Sequence, residues 1–229
     1  MSIDHAAPNP HSTTTAPTRP GGLWSRFAAT VYDPFLALGE RRGMRERRRR
    51  LLQRARGSVL EIGAGTGLNL ALYPDGLDGL VLTEPAGPMA RRLESRLRRS
   101  GVRGRVERAG AEALPAATDS VDTVVTTLVL CTVPDPQAAL EEIRRVLRPG
   151  GRLLFCEHVR SGSNRRSRWQ ERLAGPWAAF ADGCRCDQET LAMIERTFRV
   201  ERLEREDWLG MPGLVRPLIV GEATVGAST

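Results

Sequence analysis

The sequence predicts an α/β fold, with helices wound on both faces of a mostly parallel, seven-stranded sheet. Three observations carry that prediction. Short apolar runs alternate with helical stretches across residues 58–221. The first run, Val59-Leu60-Glu61-Ile62, feeds the glycine loop Gly63-Ala64-Gly65-Thr66-Gly67. The second run, Leu80-Val81-Leu82-Thr83, ends in another acid, Glu84. Parallel strands are covered on both faces, which is why they read as continuous apolar runs.

Taken in order, residues 1–22 are rich in Pro, Thr, Ala and Asn and are expected to be a disordered tail. Residues 23–56 read as an N-terminal helical lid of one or two amphipathic helices, broken near Asp33-Pro34 and Gly43. Its aromatic face holds Trp24, Phe27, Tyr32 and Phe35. Tyr32 and Phe35 either line an acceptor site or pack on the sheet. The main domain is placed at 57–222 and a second tail at 223–229. Strands are expected at 58–62, 79–84, 104–108, 121–127, 151–157, 198–204 and 215–221. Helices are expected at 66–72, 86–100, 136–147, 165–181 and 187–196. The last two strands have no helix between them and read as a hairpin.

Glycine at 63, 65 and 67 allows positive φ and close approach of a ligand to the main chain. The spacing G-x-G-x-G is not that of dinucleotide folds, and no Gly-Lys-Ser/Thr ending marks a P-loop. Glu61, just before the loop, suits a ligand with a cationic end. Glu84 follows the loop at the distance where a strand-end carboxylate accepts ribose hydroxyls. A ribose with a cationic, amino-acid-like tail describes S-adenosylmethionine.

The chain resembles the class I S-adenosylmethionine-dependent methyltransferases over roughly residues 55–160. The likeness runs through Ala111-Glu112-Ala113-Leu114-Pro115, Asp119-Ser120-Val121-Asp122 and Ile143-Arg144-Arg145-Val146-Leu147-Arg148-Pro149-Gly150-Gly151. It implies a Rossmann-like sheet whose final strand is antiparallel and sits at the edge. It implies that Gly63, Ala64, Gly65 and Gly67 cradle the methionine end, with Glu61 near the ammonium. Glu84 would bind the ribose, Pro85 and Met89 would flank the adenine, and the Ala111 amide would meet its ring. Many relatives carry Asp where this chain has Gly110, so backbone or Glu112 contacts would replace that carboxylate. The segment Thr126-Thr127-Leu128-Val129-Leu130-Cys131 lies near the transferred methyl in this family. It lacks the Asn or Asp, prolines and aromatic that base-amine methyltransferases place there, which implies a small or lipophilic acceptor.

A narrower resemblance, spanning roughly 58–221, is to animal methyltransferase-like proteins that methylate alkyl thiols and to their bacterial relatives. It rests on Glu157-His158, Trp169-Gln170, Pro176-Trp177, Phe180-Ala181-Asp182-Gly183-Cys184, Glu189-Thr190 and Val215-Arg216-Pro217. The catalytic candidates are His158 as general base, Glu157 to orient it or to bind the acceptor, and Asp182, in a helix-end turn or reaching the active site. The animal proteins carry an apolar N-terminal anchor, and a polar tail stands there in this chain. Trp169, Trp177 and Phe180 read first as core and second as a substrate cage. The expected activity is methyl transfer from S-adenosylmethionine to a thiol. The alternatives are C- or O-methylation of a quinone-like ring, or N-methylation of a phospholipid amine. A rival of another class is a non-catalytic cofactor- or RNA-binding module.

Composition narrows the partners. The net charge is +7, and every basic residue is Arg. The dense cluster from Arg41 to Arg50 reads as a solvated helix face, with peripheral contact to an anionic membrane or to an acidic partner as the alternative. No aromatics interleave with the arginines, so specific nucleic-acid binding is not expected. The four cysteines, Cys131, Cys156, Cys184 and Cys186, show no C-x-x-C spacing, so no metal is expected. Cys131 and Cys156 read as buried free thiols in a reducing cytoplasm. No export signal or apolar run of spanning length is seen.

Overall fold

A computed structural model describes Pro34 and residues 36–181 and 183–225. Phe35, Tyr32, the aromatics Trp24 and Phe27, and Asp182 lie outside the described residues. The described chain begins with helical turns that include a π-helical stretch, Glu40–Met44, and continues as α1 (Arg45–Leu52). Gly43, at φ +117°, supplies the break expected there. Then follow β1 (Ser58–Ile62), β2 (Gly79–Thr83), α2 (Gly87–Ser100), β3 (Arg105–Glu107) and β4 (Val121–Thr127). The chain closes with α3 (Pro136–Val146), β5 (Leu147–His158), α4 (Asn164–Phe180), α5 (Thr190–Thr197), β6 (Arg199–Asp207) and β7 (Pro217–Thr224).

The seven strands form one sheet in the order β3-β2-β1-β4-β5-β7-β6. All neighbours are parallel out to β5, and β7 pairs antiparallel with both β5 and β6. Successive residues on a strand point to opposite faces, and the core divides accordingly. Val59, Val125, Leu154 and Cys156 join Met44, Leu51, Leu52 and Leu93 on one side. Leu60, Val124, Leu153 and Phe155 join Leu140, Ile143 and Ile194 on the other. Helix α3 starts where Pro136 follows Asp135, whose carboxylate accepts from the amides of Gln137 and Ala138.

Four expectations are corrected. Residues 66–72 do not form a helix; they are turns ending in a 3₁₀ segment, Leu70–Leu72. Gly67 holds φ +87°, which a helix does not accommodate. The final strand is antiparallel but not at the edge. Its residues Pro217–Ala223 are all buried, whereas β6 (RVERLERED) shows exposed residues along its length and takes the edge. A charged strand tolerates water and resists pairing with other chains. Trp169 and Phe180 are not core: they are 52% and 57% exposed, while Trp177 packs against the core. Gln170 and Ala174 turn inward instead and carry their neighbours out. The arginine cluster is not simply solvated either, as described below. No helix among the described residues is long and apolar enough to cross a membrane.

Candidate active site

The sheet order reverses between β1 and β4, where Ile62 lies beside Thr126. A crevice must open at the carboxyl ends of those strands, because the connections leave in opposite directions. A pocket lies there, lined by Arg48, Glu61, Gly63, Ala64, Gly65, Thr66, Leu68 and Thr127.

The three loop glycines all have positive φ, at +59°, +58° and +87°. Their surroundings differ. A Cβ on Gly63 would stand 2.8 Å from Val129 Cγ2, and one on Gly67 would stand 2.8 Å from Leu93 Cδ1. A Cβ on Gly65 would meet nothing within 4 Å. Gly63 and Gly67 therefore serve packing, and Gly65 alone keeps open the space a ligand would take. Glu84, 7% exposed, accepts from the Gly65 amide (2.9 Å) and from the Ala86 amide (2.9 Å). It stands just past the end of β2 and reaches the same peptide that lines the pocket. Of the other residues expected around adenine, Pro85 is exposed, Met89 and Glu112 are half-buried, and Ala111 is buried. The Glu112 carboxylate accepts from the Asp135 amide at 3.4 Å.

Glu61 is buried, and both its oxygens are engaged. Asn69 Nδ2 donates to Oε1 (2.8 Å) and the Tyr73 hydroxyl donates to Oε2 (2.6 Å). Asn69 also donates to Thr127 Oγ1 (2.8 Å) and accepts from Arg48 Nη1 (3.0 Å). Burial pushes the Glu61 carboxyl up, and Tyr73, Asn69 and the Arg48 charge oppose that rise. Arg48 also pairs with Glu40 at 3.2 Å.

Sequence reasoning missed Arg48, Asn69 and Tyr73. Arg48 belongs to a run of arginines expected to be solvated, yet it is buried. The signal was present: it lies four residues after Met44 and three and four before Leu51 and Leu52, all buried on one helix face. Its neighbours face β6 and β7. Arg47 pairs with Glu206, Arg50 with Glu206 (3.1 Å) and Glu204 (3.6 Å), and Arg54 with Glu222. Much of the cluster is thus neutralised within the molecule.

The carboxyl end of β5 departs from expectation. Glu157 does not orient His158, because adjacent strand residues face opposite ways. It is fully buried, and its carboxylate accepts from the amides of Val129 (3.0 Å) and Leu130 (3.1 Å). That clasp holds the turn after β4, where Leu128 takes φ +62° and donates its amide to the Cys156 carbonyl (2.8 Å). Burial pushes the Glu157 carboxyl up to about 7, against the pull of those amides. His158 is also buried; its ring stacks on Trp208 at 5.6 Å and is not among the groups lining the pocket. Burial lowers it to about 4. A base so weak and enclosed is poorly suited to deprotonate an acceptor.

The two shifts act on stability in opposite senses. His158 is unprotonated in the folded chain down to about pH 4 but protonates near 6.5 when unfolded. Its contribution is complete above 6.5 and is lost as pH falls toward 4, by about 2 kcal/mol between pH 7.5 and 5. Glu157 holds its proton to about pH 7 when folded, against an ordinary value of 4.5, so its contribution is lost as pH rises across that window. The expected result is that His158→Gln gains about 2 kcal/mol relative to the parent on going from pH 7.5 to 5. Denaturant midpoints at the two pH values check this, and parallel curves would reject it.

All four cysteines are buried and free, and Cys131 Sγ lies 3.7 Å from Cys184 Sγ. Among the described residues no group of three or more His, Cys, Asp or Glu side chains is placed to hold a metal ion.

Strand order and the position of the loop at its reversal define the class of protein: a methyltransferase fold of class I. Residues 60–155 match the family described as a methyltransferase domain. The human thiol S-methyltransferase TMT1B is 31% identical over 226 residues, which cover 88% of this chain and 89% of that protein. The human thiol S-methyltransferase TMT1A is 36% identical over 171 residues, covering 72% and 70%. A SAM-dependent methyltransferase structure from Thermotoga maritima superposes with a TM-score of 0.63 at 21% identity, covering 87% of this chain and 97% of that one. The chain belongs to the class I S-adenosylmethionine-dependent methyltransferases. It is an enzyme, and S-adenosylmethionine is its methyl donor.

Proposed function

We propose that the acceptor is the sulfur of a small, lipophilic thiol. The observation that carries this reading is the similarity to thiol S-methyltransferases along nearly the whole of both chains. The quinone, phospholipid-amine and RNA-binding alternatives have no comparable support. The apolar turn Leu128-Val129-Leu130-Cys131 offers no polar group suited to a base amine.

S-adenosylmethionine supplies a methyl group already activated by its sulfonium. The chain's own residues then bind and align. Glu61 meets the ammonium of the amino-acid end, and Arg48, which no motif indicated, meets its carboxylate. Such a pair of opposite charges is complementary to a zwitterion. Gly65 and Ala64 line the cradle, Gly63 and Gly67 hold its shape by letting the loop pack closely, and Thr127 and Leu128 form the floor nearest the methyl. Glu84 takes the ribose hydroxyls. Pro85, Met89, Ala111 and Glu112 surround the adenine. A thiol with an ordinary pKa near 8.5 is ionised to a few per cent at neutral pH, so alignment and exclusion of water are the main tasks left to the protein. His158 then has a packing role. We also place the enzyme in the reducing cytoplasm, in keeping with its free thiols.

Labelled S-adenosylmethionine, offered with alkyl thiols, quinone precursors and phospholipid amines, tests the acceptor. Thioether and S-adenosylhomocysteine are expected from the thiols alone; turnover confined to quinone precursors would overturn the reading. Arg48→Leu is expected to weaken S-adenosylmethionine binding by about 10- to 100-fold, the worth of a hydrogen bond to a charged group. Unchanged affinity in calorimetry would remove Arg48 from the site.

A further inference from the structure

Helix α4 has an outer face that the catalytic reading does not use. Its inner face is Ser167, Gln170 and Ala174. Gln170 fixes the helix's rotation. Its Nε2 donates to the carbonyls of Val159 (3.2 Å), Cys186 (2.8 Å) and Leu214 (3.0 Å), and its Oε1 accepts from the Ser161 amide (2.7 Å). On the adjoining flank, Trp169 is 52% exposed and Leu173, one turn on, is 40% exposed. Phe180 continues the same flank. Beyond it run Arg165, Arg168 and Arg172, all exposed. The Arg172 guanidinium lies 5.9 Å from the centre of the Trp169 ring. Glu171, the one acid of the helix, is paired with Arg160 at 2.5 Å. Arg165, Arg168 and Arg172 pair with no carboxylate among the described residues.

We propose that this face docks on an anionic lipid surface. Trp169 and Leu173 enter the headgroup boundary, and Arg165, Arg168 and Arg172 meet lipid phosphates. An exposed indole beside a row of guanidiniums matches that boundary, where amphipathic rings sit between acyl chains and headgroups. The charge is complementary to anionic lipid, on a chain that carries +7 overall. A second copy of the chain fits poorly, since a twofold contact would bring two arginine rows together. Helix α4 follows the carboxyl end of β5, the same end of the sheet at which the pocket opens. Docking here therefore sets the pocket end close to the source of a lipophilic acceptor. That last consequence rests on the thiol reading; the docking itself does not.

The full-length protein, mixed with phosphatidylcholine vesicles containing phosphatidylglycerol, is expected to co-sediment with them and to leave pure phosphatidylcholine vesicles in solution. The double variant Trp169→Glu/Leu173→Glu is expected to lose vesicle affinity by roughly tenfold or more, with unchanged thermal stability and cofactor binding. Arg165→Gln/Arg168→Gln/Arg172→Gln is expected to lose the preference for phosphatidylglycerol. The proposal fails if the parent ignores the anionic vesicles or if the double variant binds them as well as the parent. It fails too if the double variant unfolds several degrees earlier, which would mean that other parts of the chain cover the face. A dimer abolished by the same variant, or RNA displacing the vesicles, would assign the face to another partner. Vesicle binding without thiol turnover would leave this proposal standing and remove only the acceptor.

Discussion

Gly65→Val is expected to yield a folded chain that no longer binds S-adenosylmethionine. The Gly65 backbone sits at φ +58°, where a branched residue is strained by about 1–3 kcal/mol. That is a tolerable loss for a domain of this size. No protein atom lies within 4 Å of the new Cβ, so nothing in the fold clashes with it. The methyls of valine would instead stand in the cradle, and the loss in affinity is expected to be about a hundredfold or more, or roughly 2.7 kcal/mol. Gly63→Ala supplies the contrast, because its Cβ would press on Val129 Cγ2 at 2.8 Å. That change strains the fold itself and lowers thermal stability. Calorimetry with the cofactor and thermal unfolding on both variants read the difference. A Gly65→Val protein that binds normally would mean that the ligand lies elsewhere.

Glu157→Ala carries the second large effect, and it falls on stability. Two amides, those of Val129 and Leu130, would lose their acceptor in a site that water does not reach. Each orphaned buried donor costs about 1–3 kcal/mol, and the cavity adds to that, so a loss of about 3–5 kcal/mol is expected. The turn after β4 loses its clasp at the same time, and turnover is expected to fall with it. Glu157→Gln keeps the volume and one acceptor oxygen, so it is expected to fall between the two. It also removes a carboxyl whose raised value makes stability decline from about pH 4.5 to 7. Denaturant titrations of the three proteins decide the matter. A loss under about 1 kcal/mol in Glu157→Ala, little more than an ordinary exposed change costs, would contradict the role of the clasp.

The site was legible in part. The glycine loop and the acids at 61 and 84 stand out because local chain geometry demands them: a backbone that turns sharply and must be approached closely leaves glycine, whatever surrounds it. The residues that line the pocket beside Glu61 or hold its carboxylate were hidden for a different reason. Asn69 and Tyr73 lie in turns with no periodicity to mark them, and Arg48 sits in a run of arginines whose members differ only in which way they face. Glu157 and His158 looked like partners because they are adjacent in sequence. A strand separates such neighbours onto opposite faces, so the acid clasps the turn after β4 and the imidazole stacks on Trp208.

The sequence by itself determined the alternation of strands and helices, the glycine loop and the two acids at the ends of β1 and β2, since these depend on short-range rules of backbone and period. Only the tertiary structure decided which strand takes the edge, which loop glycine faces open space, and which arginine lines the pocket while its neighbours pair with β6. Those outcomes depend on contacts between segments up to 168 residues apart, such as Arg54 with Glu222. Apart from the helical spacing that aligns Arg48 with Met44, Leu51 and Leu52, no local pattern encodes them; burial and charge pairing select them once the sheet has formed.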